Sequence, residues 1–526
     1  MSNNIILIGF MGSGKDSVGK ELSKRTNLCF FSMDDYITFK EKRSINRIFE
    51  ESGEKYFRKI EKQTLQEIKN IKNTVIATGG GVVKDKENRE LLSKIGKVVY
   101  LYATLPAIKE RLKNDETRPL IKNKDNIEKI YNERMKKGIY EFADKKIDTS
   151  SITKEEVARK IIEELKIEKK WGKNLFKIIK IKTSSKTYPI IIGYDLFEKD
   201  YLNISPTNKV VVISNPLISS LYYYEIENIL RKKGLNSLIF TIPSGEKYKT
   251  LDTVKDVYDF LLKEKMDRSG TILALGGGVI GDLGAFVAST FKRGIPIFHI
   301  PTTLIAQVDS SIGGKTGVDH PLGKNMIGTF YQPEKVIVDI KKLLSLPEKE
   351  FRNGLAEVIK YGIIKDAKLF YLLEEKQKEI LNRDIPTLLE IVTRCIKIKK
   401  EVVEKDEKEE KGKREILNYG HTIGHIIETL TNYSKYTHGE AIAIGMVEEA
   451  KLALKEKILR ERDFLRIQEL VSKYQLPTSL PDNINYKEMR KFVAQDKKVR
   501  NGKIRLPVPK GIGKIIFKEV ECKNFL

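Results

Sequence analysis

The run GFMGSGK at residues 9–15 constrains this chain more than any other feature. It follows a strand-like apolar stretch, NIILIGF (4–10), and precedes a helix-like segment near 14–26. In that setting the backbone N–H groups of a G-x4-G-K turn wrap a phosphate at a helix N-terminus, and Lys15 reaches the transferring phosphoryl group. A strand and helix so joined belong to a parallel sheet with crossover helices. The next segments keep that rhythm. LCFFSM reads as a strand, 44–71 as a helix, TVIATGGG as strand and turn, KVVYLYA (97–103) as a strand and 153–167 as a helix.

A chain of 526 residues exceeds one ordinary core, so two or three domains are expected. The first is placed at 1–168. The charged segment KIEKKWGKN holds the single tryptophan and supplies a linker at 169–173. From 174 a new strand series begins (FKIIKIK, YPIIIG, KVVVISN, SLIFTIP, GTILALGGG, IPIFHIPTT), giving an α/β subdomain over 174–344. Long amphipathic patterns at 349–363, 385–405 and 421–431 then predict a mainly α-helical subdomain over 345–526. The two GGGV segments, 79–82 and 276–279, have different flanks and mark no repeat.

Three widely spaced cysteines point to a reducing cytoplasm, not to a disulfide framework. No apolar run reaches membrane-spanning length, and the N-terminal segment reads as a first strand, not a signal peptide. Lys+Arg 97 against Asp+Glu 72 gives a net charge of +25. The basic residues are spread through the chain and mixed with Glu, so a lysine-rich solvated surface is expected, with no nucleic-acid partner.

Around the phosphate loop lie Asp34, Gly53-Glu54, Phe57-Arg58 with Glu61, Gly79-Gly80-Gly81 and TRPL at 117–120. Alone, Arg58 and Glu61 are an ordinary i,i+3 surface pair. As a set, these residues resemble shikimate kinase over 1–167. The resemblance implies a P-loop kinase domain using ATP and magnesium. ATP is then held by Gly12, Ser13, Gly14, Lys15, Asp16, Ser17 and Arg118, with Lys15 and Arg118 catalytic. Shikimate is held by Asp34, Arg58, Gly79, Gly80, Gly81 and a second cation, for which Arg134 stands beside Lys136 and Lys137. A lysine there lacks the bidentate fork.

Two positions depart from the family. Asp16 stands where a Ser or Thr touches magnesium, and Ser32 stands where an Asp helps to hold it. The exchange keeps one carboxylate and one hydroxyl beside the cation, the compensated reading preferred here. The competing reading is a decayed kinase acting as a regulatory or structural domain.

Three of the five histidines, His421, His425 and His438, fall within eighteen residues. His421 and His425, at i,i+4 on one helix face, read as metal ligands on spacing alone. Several longer stretches (LALGGGVIGDLGAFVAS, PTTLIAQVDSSIGGKTGVDHPLGKNMIG, GLAEVIKYGI, LNYGHTIGH and HGEAIAIGM) make the chain from about 175 onward resemble 3-dehydroquinate synthase. The resemblance reassigns the zinc, or another divalent metal, to Glu357, His421 and His438, and turns His425 toward substrate.

It also implies NAD, bound by Asn215, Glu246, Lys249, Gly276, Gly277, Gly278, Asp282, Thr302, Thr303, Lys315 and Lys324. The glycine pattern alone is weak, because no acidic residue follows about 20 positions later. The implied substrate, a heptulosonate phosphate, meets Arg293, Asp309, Lys315, Asn325, Lys360, Lys399, Arg414, Asn418, His425 and Lys498. Lys315, His425 and Asp309 are the catalytic candidates. A zinc- and NAD-dependent alcohol dehydrogenase has no use for so many cations. A homodimer through the synthase half is implied as well.

Overall fold

The computed structural model describes residues 4–113, 125–167, 176–198, 201–205, 209–431, 435–481, 484, 489–490, 492 and 502–522. Arg118, Lys498 and the linker expected at 169–173 lie outside these residues. The chain forms two compact units that interleave in sequence. The first draws on Met1–Leu175, Phe197–Tyr248 and Leu344–Pro347, the second on Phe176–Leu196, Lys249–Leu343 and Glu348–Leu526.

The first unit begins with β1 (Ile5–Ile8), α1 (Lys15–Arg25), β2 (Cys29–Ser32), α2 (Met33–Glu41) and α3 (Ile45–Ile68). It continues through β3 (Thr74–Ala77), α4 (Lys86–Ile95), β4 (Lys97–Tyr102), α5 (Leu105–Arg111), α6 (Asp125–Lys136), β5 (Lys145–Asp148) and α7 (Lys154–Glu164). The strands form a parallel sheet in the order β2-β3-β1-β4-β5. β1 and β3 are buried at every position, as central strands of a sheet covered on both faces must be, and β2, at the sheet edge, is buried throughout as well. On one face Ile5, Leu7, Val75 and Val99 pack with Val18 and Leu22 of α1 and Val157 and Ile161 of α7.

The helix expected over 44–71 is broken. Gly53 sits at φ 77°, ψ 169° inside α3, a conformation open to glycine, and the break turns Glu54, Arg58 and Glu61 onto a second helical segment.

β6 (Phe176–Lys182) and β7 (Thr187–Gly193) belong to the second unit. The first unit then resumes with β8 (Val210–Ser214), α8 (Pro216–Lys232) and β9 (Ser237–Thr241), of which β8 and β9 pair in parallel. Asn215 caps α8, its Oδ1 accepting from the Ile218 N–H, with Pro216 at the first helical position. This segment packs on β2 and α2. Ser220 Oγ donates to the Ser32 carbonyl (2.8 Å), Thr241 Oγ1 to the Phe39 carbonyl (3.0 Å), and the Lys20 ammonium lies 3.8 Å from the Tyr224 ring centre. Tyr222 is buried beside Cys29 and hydrogen-bonds Ser345.

The second unit continues with α9 (Leu251–Lys263), β10 (Thr271–Gly276), α10 (Gly278–Thr290), β11 (Ile297–Pro301), β12 (Lys315–His320), β13 (Gly323–Phe330) and β14 (Lys335–Asp339). Within it, β6 pairs antiparallel to β7, and β7, β14, β11 and β10 follow in parallel. β12 and β13 make a separate hairpin. The helical part is α11 (Glu348–Ile364), α12 (Ala367–Glu375), α13 (Gln377–Leu381), α14 (Ile385–Lys405), α15 (His421–Leu430), α16 (His438–Lys455) and α17 (Glu461–Lys473). It closes on a hairpin absent from the sequence reading, β15 (Lys503–Gly511) with β16 (Lys514–Glu521). No helix among the described residues is long and apolar enough to cross a membrane.

Candidate active sites

In the first unit, the turn from β1 to α1 uses three glycines in left-handed or neighbouring backbone, at φ 156° (Gly9), 78° (Gly12) and 91° (Gly14). A Cβ at Gly9 would lie 2.5 Å from the Leu101 carbonyl oxygen and 2.6 Å from Ser13 Oγ, so the turn cannot relax outward. Gly12 through Ser17 line a cleft of about 480 Å³ at the C-terminal end of the sheet, where α/β folds place ligands. Lys15 Nζ donates to the Gly9 and Phe10 carbonyls at 3.0 Å each. Ser13 Oγ is buried without a hydrogen-bond partner among the described residues, an orphan that a phosphate oxygen would satisfy.

Asp16 and Asp34 line the same cleft. Ser32 is buried and caps α2, its Oγ accepting from the Asp35 N–H at 3.3 Å. Of the three candidates for the second carboxylate-binding cation, Arg134 is buried and donates to the Gly80 carbonyl at 2.6 Å, while Lys136 and Lys137 are exposed. Lys137 pairs with Glu133.

Arg58 Nη1 lies 2.5 Å from buried Glu61 Oε2, and its other nitrogens are held by Glu54. Gly79 and Gly81 leave no space for a Cβ, which would collide with Glu61 and Arg58 respectively. Asp34 Oδ1 is 3.2 Å from the Gly79 Cβ position. Asp34, Arg58, Arg134 and the glycine run therefore converge on one hollow with two guanidinium groups, a fit for a carboxylated polyol. Arg111 was missed by the sequence reading. It lines the cleft and donates to the Gly12 carbonyl and to Thr149, but α5 carries no motif to mark it.

In the second unit three helices meet at a metal-sized gap. α11 brings Glu357, α15 opens with His421 and α16 opens with His438. One ligand atom from each lies within 4.8 Å of the others. His421 Nε2 and His438 Nε2 are each 3.4 Å from Glu357 Oε1. Gly420 at φ 78° starts α15, its N–H bound to Glu449 Oε2 (2.7 Å), and a capping box of Thr437 and Glu440 starts α16. Burial opposes the charge on Glu357, but Lys360 and the two histidines hold its carboxyl well below the usual range. One carboxylate and two imidazoles on rigid helices suit a catalytic divalent ion with open positions. A second group, His425, Glu428 and His438, also meets the distance condition. The ligand pair read from spacing alone, His421 with His425, is thus divided between two groups.

Cations and acids surround this centre. Lys360 Nζ is 2.5 Å from Glu357 Oε2, both fully buried. Asp309 Oδ1 accepts from Lys399 Nζ and Tyr361 Oη at 2.6 Å each. Burial pushes the Asp309 carboxyl up, yet the charge and hydrogen bond of Lys399 together with the charge of Lys360 hold the group below its ordinary value. Arg414 is buried and donates to the Glu407 carbonyl at 2.8 Å. Asn418 is half-buried just before α15. Lys315 is exposed and pairs with Glu409 at 2.6 Å; Arg293 is exposed on the turn after α10, with backbone in the left-handed region.

The glycines at the start of α10 face threonines and serines. A Cβ at Gly277 would lie 3.1 Å from Thr303 Cγ2, and one at Gly278 3.3 Å from Ser310 Oγ. Thr302 Oγ1 is buried without a partner among the described residues. Lys249 Nζ bridges Asp282 (2.7 Å) and Asn325 (2.6 Å), tying α10 to the β12–β13 hairpin. An orphan hydroxyl beside a helix N-terminus and a buried lysine fits a dinucleotide phosphate. Asn215 caps α8 and Glu246 begins a short turn, both in the first unit. His299, on β11, is buried, which lowers its pKa to about 4, and is a core residue.

Residues 11–166 match the family model for shikimate kinase, 239–353 that for the 3-dehydroquinate synthase N-terminal domain and 354–499 that for its C-terminal domain. The chain is similar to 3-dehydroquinate synthase from Thermodesulfovibrio yellowstonii, with 48% identity over 340 residues, covering 64% of this chain and 94% of that protein. It is 45% identical over 352 residues to the same enzyme from Desulforamulus reducens, covering 66% of this chain and 98% of that protein. Among solved structures it resembles the 2-epi-5-epi-valiolone synthase of Streptomyces hygroscopicus with NAD+ and Zn2+ bound. The TM-score is 0.61 and the identity 28%, covering 68% of this chain and 97% of that one. The chain thus belongs to the 3-dehydroquinate synthase family and carries a shikimate kinase domain ahead of it, two shikimate-pathway enzymes in one polypeptide.

Proposed function

We propose that the synthase reaction runs at Glu357, His421 and His438, and that the convergence of these three beside the buried set Lys360, Asp309 and Lys399 carries the reading. The three ligands would hold a divalent ion, and Lys249, Asp282, Gly276–Gly278, Thr302 and Thr303 would contribute to an NAD site, with Lys324. When bound, the dinucleotide supplies hydride acceptance and return and the ion polarises a hydroxyl oxygen.

The protein's own groups do the rest. Asp309, kept ionised by Lys399, accepts a hydrogen bond from a ring hydroxyl. Arg414, Asn418 and Lys360 bind the anionic ends of a 3-deoxy-D-arabino-heptulosonate 7-phosphate. Lys315 exchanges its exposed Glu409 partner for the substrate phosphate, and His425, exposed on α15, moves a proton at a phosphate oxygen. Arg293, Asn325 and Lys498 complete the anion contacts.

In the first unit, Lys15 leaves the Gly9 and Phe10 carbonyls for the γ-phosphate of ATP, while Arg58 and Arg134 clamp the shikimate carboxylate and Asp34 its hydroxyls. Arg118 covers the transferring group. Asp16 and Ser32, the exchanged pair, would hold magnesium, and the kinase would keep its cation site. The chain works in the cytoplasm, for which three buried cysteines outside any disulfide are suited, and as a homodimer through the synthase half.

The test assays purified chain for phosphate release from the heptulosonate phosphate and for ATP-dependent phosphorylation of shikimate. His421→Ala is expected to cut phosphate release by at least about a hundredfold while sparing the kinase. Asp16→Ser/Ser32→Asp is expected to leave shikimate phosphorylation within about tenfold of the natural chain. Unchanged phosphate release in His421→Ala sinks the metal centre. A silent natural kinase rescued by the double change sinks the compensated exchange.

A further inference from the structure

We propose that Glu428 is the positioning residue for His438, an inference that rests on reading Glu357, His421 and His438 as the metal centre. An imidazole ligates a metal through the lone pair of one nitrogen, so its other nitrogen must carry the proton and have somewhere to donate it. His421 meets this need within its own chain turn, with Nδ1 3.1 Å from the Tyr419 carbonyl oxygen. Among the described residues no backbone carbonyl meets His438 in that way. Its Nε2 faces Glu357 Oε1 at 3.4 Å, and its Nδ1 faces Glu428 Oε2 at 3.5 Å. The Glu428 side chain is only 7% exposed, so the carboxylate is committed to this neighbourhood.

The placement follows from helix geometry. Glu428 lies seven residues after His421, two turns along the same face of α15. One helix therefore provides a ligand at its first residue and, two turns on, the group that orients the ligand offered by α16. The other oxygen, Glu428 Oε1, lies 3.7 Å from Lys324 Nζ on β13. The same carboxylate thus links the metal ligand to a lysine proposed to meet NAD.

Glu428 with His425 and His438 also forms the second group of possible ligands. An ion there would need His438 Nδ1 while another held Nε2, placing two divalent cations across one ring and leaving that imidazole without a proton. Mutual repulsion and the loss of that proton disfavour the arrangement, and a hydrogen-bonding role remains.

The test uses the full chain, wild type beside Glu428→Gln and Glu428→Asp, with Zn2+ or Co2+ alone as probe. Chelator competition measures affinity, elemental analysis counts ions per chain, and the visible spectrum of the Co2+ form reports ligand geometry. One ion per chain is expected throughout, with affinity lowered about 10–100-fold in Glu428→Gln, partly regained in Glu428→Asp, and a shifted Co2+ spectrum. Unaltered affinity and spectrum in Glu428→Gln overturn the proposal. So do two ions in the wild type falling to one in Glu428→Gln, since Glu428 would then be a ligand. A wild type that takes up no ion overturns the metal centre itself, and this role with it.

Discussion

Glu61 is buried with its carboxylate against Arg58, and burial pushes its carboxyl up to about 7, Arg58 opposing and Asp34 assisting the shift. Below that pH Glu61 is neutral, so of the two carboxylates on Arg58 only Glu54 still competes with an incoming carboxylate. Above it, Glu61 is ionised and competes. A bound carboxylate raises the proton affinity of Glu61 further, so binding takes up a proton and weakens as pH rises through about 7. Shikimate affinity, measured calorimetrically from pH 6 to 8, is expected to fall by up to about tenfold per pH unit, and Glu61→Gln to flatten that slope. An equal slope in the variant would refute the competition.

At this scale the sequence was informative wherever chemistry imposes spacing. The phosphate loop lines a cleft, the glycine run closes against Glu61 and Arg58, and the three histidines gather in two overlapping groups of possible ligands, not as the His421–His425 pair that spacing alone suggests. Arg134 separated from Lys136 and Lys137 only through burial, which depends on how α6 rotates. Glu428 had a readable signal, since it completes an i, i+4, i+7 face with His421 and His425, but carboxylates on helices are too common for spacing to single it out.

Elements were legible by periodicity and failed where local composition misled. The segment 315–330 holds three glycines and a proline among polar residues, yet forms the β12–β13 hairpin, in which a Cβ at Gly317 would stand 2.7 Å from the Ile327 carbonyl oxygen. β15 carries Pro507 and Pro509, which argue against a strand, and they are accommodated in a two-stranded ribbon.

The approach of α15 and α16 is set by glycine. A Cβ on Gly445 would run into the Gly420 carbonyl, and one on Gly424 would come within 3.0–3.1 Å of Ile442. Gly445→Ala must therefore push α16, with His438, away from His421. The expected result is a loss of about 1–3 kcal/mol from the synthase unfolding transition, with weakened metal affinity. Thermal melts and chelator competition check it; a variant that melts and binds like the natural chain would show that the helices can part freely.

Across the whole molecule, compactness does not follow the order of domains along the chain. α8 and β9 lie beyond residues 11–166, the span matched to shikimate kinase, yet they pack on β2 and α2 through Ser220, Thr241, Tyr222 and Tyr224. Sequence patterns reveal local periodicity and short-range motifs. They do not reveal which later helix will cover an earlier strand, because that depends on packing between surfaces far apart in the chain. Residues 1–167 expressed alone are expected to melt at least about 4–8 °C below the corresponding transition of the full chain. Circular dichroism and differential scanning of both would decide; equal melting would mean that α8 adds nothing to the first unit.

The seat that α8 takes on β2 also bears on gene dosage. A gene split after codon 167 would release a kinase segment whose Ser32 carbonyl and Cys29 face have lost their cover. Each translated copy of the intact gene instead delivers that cover with the kinase. The cell then makes the two catalysts in a fixed one-to-one ratio, and any adjustment of flux between them must come from turnover, not from expression.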